Sequence, residues 1–160
     1  MRHGPAEDRA PSGRDFDRRL TPAGREVVLR VAYAFQAART ADAAFSTPLR
    51  ILTSPRARAR ETAMIVRAAI LPIPRDIEVH DALGGDLPIP RSLIVEASAS
   101  GTDTILVGHH PRVEELVQAL VGSPVAVPGF HTATVVGLDP TAGTGLWTLV
   151  TLLDPTQLPG

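Results

Sequence analysis

Apolar positions follow two different periods along the chain. In LTPAGREVVLRVAYAFQAAR (20–39), Val27, Val28, Val31, Phe35 and Ala38 recur at three- and four-residue spacing, which predicts one buried face of an α-helix. Thr21 suits its cap and Pro22 its first position, where a missing N–H costs nothing. Leu49 to Thr53 is a short apolar run, and the Ser54-Pro55 pair after it predicts a cap and first position for a second helix reaching about Ala69. Ile77 to His80 suits a strand, followed by the loop ALGGDLPIP and a modest helix over Arg91 to Ala99. DTILVG (103–108) has the continuous apolar character of a strand buried on both faces, and His109-His110-Pro111 turns it into the helix PRVEELVQALV. At the end, HTATVVGL and GLWTLVTLL flank DPTAGT as two strands of a hairpin that closes the sheet. Residues 5–19 mix Pro, Gly, Ser and charges without apolar period and predict a loop.

Strands alternating with helices imply an α/β domain of three layers, α/β/α, with a mostly parallel central sheet and an antiparallel edge hairpin. At 160 residues the chain accommodates one such domain, spanning 1–160. Sites in these sheets gather beyond the carboxyl ends of the strands. Two strand-to-helix junctions, TSPRAR (53–58) and VGHHPR (107–112), carry polar residues there, next to helix amino termini that attract anions.

Composition narrows the chemistry. No cysteine is present, so disulfides, thiolate metal sites and cysteine-nucleophile phosphatase mechanisms are excluded. A net charge of -1 gives no field toward nucleic acid or anionic membranes, and 4% aromatic residues leave few rings for stacking on bases. All 16 basic residues are Arg, so an Arg at any one place carries little weight and spacing must decide. The first twenty residues lack the apolar stretch of a signal peptide, and no later run approaches a membrane span, which predicts a cytoplasmic protein without membrane partners.

Four segments carry the candidate chemistry: Arg2-His3-Gly4, LTPAG (20–24), SPRARARET (54–62) and GHHP (108–111). In this order and spacing they resemble the histidine phosphatase superfamily, also called phosphoglycerate mutase-like, and within it the compact SixA-type phosphohistidine phosphatases. The resemblance covers nearly the whole chain and implies the phosphoglycerate mutase-like fold. It implies His3 as the nucleophile that accepts phosphate, with Arg2, Arg58 and His109 completing the phosphate pocket. The physical requirements agree: a neutral imidazole is a competent nucleophile near pH 7, and cations must surround the equatorial oxygens of the transferring group. Arg58 falls in the first turn of its helix, where the dipole and the guanidinium act together; Arg56 and Arg60, four apart, share a different face. His110 is expected to point away from the pocket, and His80 and His131 have no motif support.

In the wider superfamily a Glu or Asp after a mid-chain strand acts as general acid. The matching region here, EVHDALGGDLP, offers Asp81 and Asp86 without choosing between them. A phosphohistidine substrate needs an acid less, because imidazole is a far weaker base than an alkoxide. No metal-ligand spacing is evident, Asp15 and Asp17 being expected in solvent, and no cofactor is implied. The expected partner is therefore a phosphohistidine-bearing protein, with a small phosphorylated molecule, or non-catalytic phosphate binding, as the alternatives. The resemblance further implies an apolar strand leading into Arg2-His3-Gly4. Only Met1 precedes Arg2, so that first strand is expected to lie upstream or to be supplied otherwise.

Overall fold

The computed structural model describes residues 1–41, 49–70, 76–99, 101–122 and 129–159. Helix α1 spans Pro22–Ala41, strand β1 Leu49–Thr53, α2 Ala57–Ala69, β2 Ile77–Val79, α3 Arg91–Ala99, β3 Asp103–Val107, α4 Arg112–Val121, β4 Val135–Pro140 and β5 Trp147–Leu153. Short 3-10 turns cover Asp15–Asp17 and Asp81–Leu83. β1 lies between β2 and β3 and is parallel to both, with Ile51 opposite Ile77 and Ile105.

Alternation along the strands produces the layers. Leu49 and Ile51 of β1 and Ile105 and Val107 of β3 pack into a cluster with Val28, Val31 and Phe35 of α1 and Ala63 and Val66 of α2. Leu52 points to the other face, where it meets Leu93 of α3 and Val113 and Val117 of α4. Successive strand side chains lie on opposite faces, so a strand apolar at every position needs helices on both.

Three sequence expectations shift. The buried stripe of α1 is Gly24, Val28, Val31, Ala32, Phe35 and Arg39, so Val27 and Ala38 lie at its margin. Arg39 is buried because its guanidinium binds Asp103 at 2.7 Å at the start of β3. The second helix begins at Ala57, two residues after Pro55: Arg56 is its cap residue in extended conformation, and the Arg56 N–H donates to the Ser54 hydroxyl at 3.2 Å. The closing hairpin forms a two-stranded sheet of its own, β4 antiparallel to β5. It joins the parallel sheet through the amino-terminal residues: the His3 N–H donates to the Gly108 carbonyl (3.0 Å), and the Arg2 N–H donates to the Thr134 carbonyl (3.0 Å).

Candidate active site

The amino-terminal segment passes beyond the carboxyl ends of β1 and β3, as the alternating pattern predicts for a site in this kind of sheet. The four sequence segments meet there and lock one another. The Gly4 N–H donates to the Thr62 hydroxyl at 3.0 Å, and that hydroxyl donates to the Arg58 carbonyl one helical turn back at 2.8 Å. Thus one side chain ties the turn after His3 to the turn that carries Arg58. Glu61 beside it accepts from the Leu20 N–H (3.3 Å) and from Arg25 (3.0 Å), anchoring the start of α1. The Thr21 hydroxyl accepts the Gly24 N–H at 2.9 Å, the helix cap its sequence predicts. Gly24 and Gly4 are required by close approach: a Cβ on Gly24 would lie 2.0 Å from the Pro5 carbonyl oxygen, and one on Gly4 would lie 2.3 Å from Val28.

These supports hold His3 in a defined tautomer. Its Nδ1 lies 2.8 Å from the Gly4 carbonyl, which can only accept, so Nδ1 carries the proton. Nε2 therefore keeps its lone pair, and the Arg58 Nε–H donates to it at 3.3 Å. Burial pushes the His3 pKa down from 6.5 to about 4; the Gly4 bond opposes this shift, and the nearby Arg58, Arg2 and Arg18 charges add to it. His3 is consequently neutral at pH 7.

The ring of His109 lies 4.9 Å from that of His3, tilted by 53°. Its Nε2 is 2.8 Å from the Ser54 hydroxyl, while its buried Nδ1 has no partner among the described residues. Burial first, then His3, Arg58 and Arg56, lower its pKa from 6.5 to about 3, against a small opposing effect of Asp15. Arg2 reaches from the other side: its Nη1 donates to the Phe130 carbonyl at 2.6 Å, and its charge is felt at His3. Thus His3, Arg58 and His109 are brought together, with Arg2 close enough to act electrostatically.

The surroundings correct several expectations. Asp15 is exposed, as its polar loop predicts, but it is not free of the site. Its carboxylate binds Arg58 (3.1 Å), Arg18 (2.8 Å) and Arg56, and its carbonyl accepts a further bond from Arg58 at 2.8 Å. Together these arginines, with the Arg18 bond first, lower its pKa to about 2 against the opposing effect of burial. The Asp17 carboxylate, by contrast, is bound among the described residues by Ser12 and Arg14 at the surface. Arg56 does not share a face with Arg60, because it precedes the helix; it reaches across the mouth of the site to Asp15 and Asp86 while Arg60 is exposed. Ser54, whose sequence context suggests a cap, is also the partner of His109. No sequence signal separates these roles, since Asp15 and Ser54 lie 12 and 51 positions from His3 and only folding joins them.

Of the two acid candidates, Asp86 stands at the mouth, exposed and bound to Arg56 at 2.6 Å. Asp81 is exposed in its 3-10 turn, and among the described residues its side chain makes no hydrogen bond or ion pair with the four site residues. His110 points outward to Glu114 (3.0 Å), His131 pairs with Asp154 (3.2 Å), and His80 accepts the Ala82 N–H. Among the described residues no group of three or more His, Asp or Glu is placed to hold a metal ion, and no helix is long and apolar enough to cross a membrane.

This fold is that of the histidine phosphatase superfamily, the phosphoglycerate mutase-like α/β domains. Within it, the chain is similar over nearly its whole length to SixA structures. One, assigned as a phosphohistidine phosphatase SixA from Agrobacterium tumefaciens, is 29% identical with a TM-score of 0.77, covering 97% of this chain and 95% of that chain. Another, a protein histidine phosphatase SixA complexed with tungstate, is 26% identical with a TM-score of 0.78, covering 98% and 95%. A mycobacterial glucosyl-3-phosphoglycerate phosphatase shares the fold at 20% identity and a TM-score of 0.64, covering 93% and 94%. No protein-family model and no curated protein matches the sequence. The SixA neighbours support a phosphatase activity for this chain.

Proposed function

We propose that the chain is a metal-independent phosphatase that hydrolyses phosphohistidine in a protein, through a covalent phosphohistidine on His3. The observation that carries this reading is the His3 tautomer: the Nδ1–H is spent on the Gly4 carbonyl and the Nε2 lone pair faces the guanidinium of Arg58. In the first step Nε2 attacks phosphorus and the substrate P–N bond breaks, its electron pair leaving with the departing imidazole, which takes up a proton. In the second step water attacks the His3 phosphoryl group, inorganic phosphate leaves, and Nε2 regains its lone pair. Arg58 and Arg2 neutralise the equatorial oxygens in both steps, and His109, with its free Nδ1 and its Nε2 on Ser54, offers a hydrogen bond to the same group. Because imidazole is a weak base, protonation from water suffices, and neither Asp81 nor Asp86 is required as acid. Where an acid takes part, Asp86 at the mouth is the better placed of the two.

Two further points favour a protein substrate. Two SixA neighbours, 29% and 26% identical, are described as a phosphohistidine phosphatase and a protein histidine phosphatase, and the second was solved with tungstate, a tetrahedral oxyanion of phosphate shape. Asp86, paired with Arg56 at the mouth, and its neighbour Leu87 are exposed, and among the described residues no segment covers them. The test is to mix the protein with a labelled phosphohistidine protein and with a panel of sugar and nucleotide phosphates. Acid-labile, base-stable label on the wild type but not on His3→Ala, with the protein substrate preferred, is expected. Label retained by His3→Ala removes His3 from the role, and preference for a small ester overturns the substrate class. Activity is expected to withstand EDTA; loss restored by magnesium would sink the metal-free mechanism.

A further inference from the structure

Ser54 is completely buried where β1 gives way to α2. Its N–H donates to the Val107 carbonyl at 3.0 Å, which carries the β1–β3 pairing one residue past Thr53 and brings Ser54 alongside the turn that holds His109. The hydroxyl has two neighbours among the described residues, the Arg56 N–H at 3.2 Å and His109 Nε2 at 2.8 Å. His109 is itself buried and held from both ends. Its carbonyl accepts the Val113 N–H (3.0 Å) at the start of α4, and the Gly85 backbone packs so close to the ring that a Cβ there would lie 3.2 Å from Cγ and Cδ2.

These contacts assign the protons. A hydroxyl has one proton to donate and two lone pairs that accept. The Arg56 N–H can only donate, so it takes a lone pair, and the acceptor left for the buried O–H among the described residues is His109 Nε2. Nε2 then holds a lone pair, and a neutral ring carries its proton on Nδ1. The ring is neutral at pH 7, because burial above all lowers its pKa to about 3. The opposite tautomer would strand two buried groups, the Ser54 O–H without an acceptor and the Nδ1 lone pair without a donor; the assigned one leaves only an Nδ1–H open. Turning the ring over would set a C–H against the hydroxyl.

We infer that Ser54 is a positioning residue: its O–H locks His109 in the Nδ1–H tautomer, so that this histidine serves a phosphoryl oxygen as a hydrogen-bond donor through Nδ1. His3 carries its proton on the same nitrogen, yet the outcome is opposite. The Gly4 carbonyl consumes the Nδ1–H of His3 and frees a lone pair to attack, whereas Ser54 consumes the lone pair of His109 and frees an N–H. One backbone carbonyl and one hydroxyl thus divide two neutral imidazoles, 4.9 Å apart, into nucleophile and donor. The role of the Nδ1–H rests on the phosphatase reading above, but the tautomer does not.

Hydrogen–nitrogen correlation NMR of the isotope-labelled protein at neutral pH reads the tautomer without any substrate. The His109 signals, assigned by their loss in His109→Ala, are expected to show a protonated Nδ1 and an unprotonated Nε2; a protonated Nε2 overturns the inference. On a chromogenic phosphate ester, Ser54→Ala is expected to lower kcat about tenfold, less than the roughly hundredfold of His109→Ala, and to add no more than about a twofold loss in the His109→Ala background. An equal tenfold loss in both backgrounds would mean that Ser54 acts on the pocket without His109, and overturns it too. Should Ser54→Ala fail to fold, the wild-type spectrum decides alone. A wild type that shows the tautomer but turns over no phosphate compound refutes the phosphatase reading and leaves the lock in place.

Discussion

Thr62→Val tests the link between the proposed nucleophile, His3, and the helix that supports it. Thr62 is fully buried; its hydroxyl accepts the Gly4 N–H at 3.0 Å and donates to the Arg58 carbonyl at 2.8 Å. Valine has the same shape without the hydroxyl, so no cavity forms, and the Arg58 carbonyl keeps its place in the helix ladder. The Gly4 N–H, however, loses its partner inside the protein, which costs about 1–3 kcal/mol. For a chain of this size each kcal/mol lowers Tm by about 2–4 °C, so a fall of roughly 2–12 °C is expected in a thermal melt. Because the Gly4 carbonyl also accepts the hydrogen bond from His3 Nδ1–H, loosening it blurs the tautomer and the approach of Nε2 to Arg58, and kcat on a chromogenic phosphate ester should fall about tenfold, which is ~1.4 kcal/mol. Thr62→Ser keeps the hydroxyl and loses one methyl, so it should recover most of the activity while giving up about 1 kcal/mol of stability. The reasoning is refuted if Thr62→Val melts within about 1 °C of the parent with unchanged kcat. It also fails if Thr62→Ser is as damaged as Thr62→Val, which would place the effect in methyl packing.

Arg58→Ala and His109→Ala should each lower turnover about a hundredfold, as loss of an oxyanion donor does, while His110→Ala, paired outward with Glu114, should leave it within about threefold of wild type; steady-state kinetics of the three variants decide the placement. Asp15 competes with a phosphoryl group for Arg58, so Asp15→Asn should bind vanadate about tenfold tighter, ~1.4 kcal/mol of relieved repulsion; weaker inhibition would instead make Asp15 a required organiser of the arginines. The histidine pair sets a pH dependence. With pKa values lowered from 6.5 to about 4 for His3 and about 3 for His109, the unfolded chain binds more protons than the native one below about pH 6.5, so stability is full above that pH and falls as acid is added toward pH 4. The same shift keeps His3 nucleophilic in mild acid, so kcat/KM should show its acid limb near pH 4; a limb at 6.5 would mean that His3 is not held neutral by burial.

Much of this architecture is local information. The period of Val28, Val31 and Phe35, the Thr21-Pro22 start and the apolar run of β3 each depend on neighbours a few residues away, so the helices and strands could be read from the chain and the layer order from their alternation. The candidate site was equally legible where a motif is contiguous, as for Arg2-His3-Gly4 and Gly108-His109. Other features belong to the tertiary structure. Arg56 and Arg58 part company because the helix starts at Ala57, two residues past the proline signal, and Ser54 turns from a cap into the partner of His109 because β1 and β3 end side by side. Asp15 becomes part of the pocket only when its loop folds over α2, since no periodicity connects a polar loop to a guanidinium 43 residues away. The neutral state of His3 is likewise decided there: the sequence supplies an imidazole of ordinary basicity, and burial, with the Nδ1–H held on the Gly4 carbonyl, leaves the Nε2 lone pair unprotonated as the proposed nucleophile requires. Sequence sets local conformation through steric and periodic rules, whereas electrostatics at a site depends on distances that only the packed chain defines.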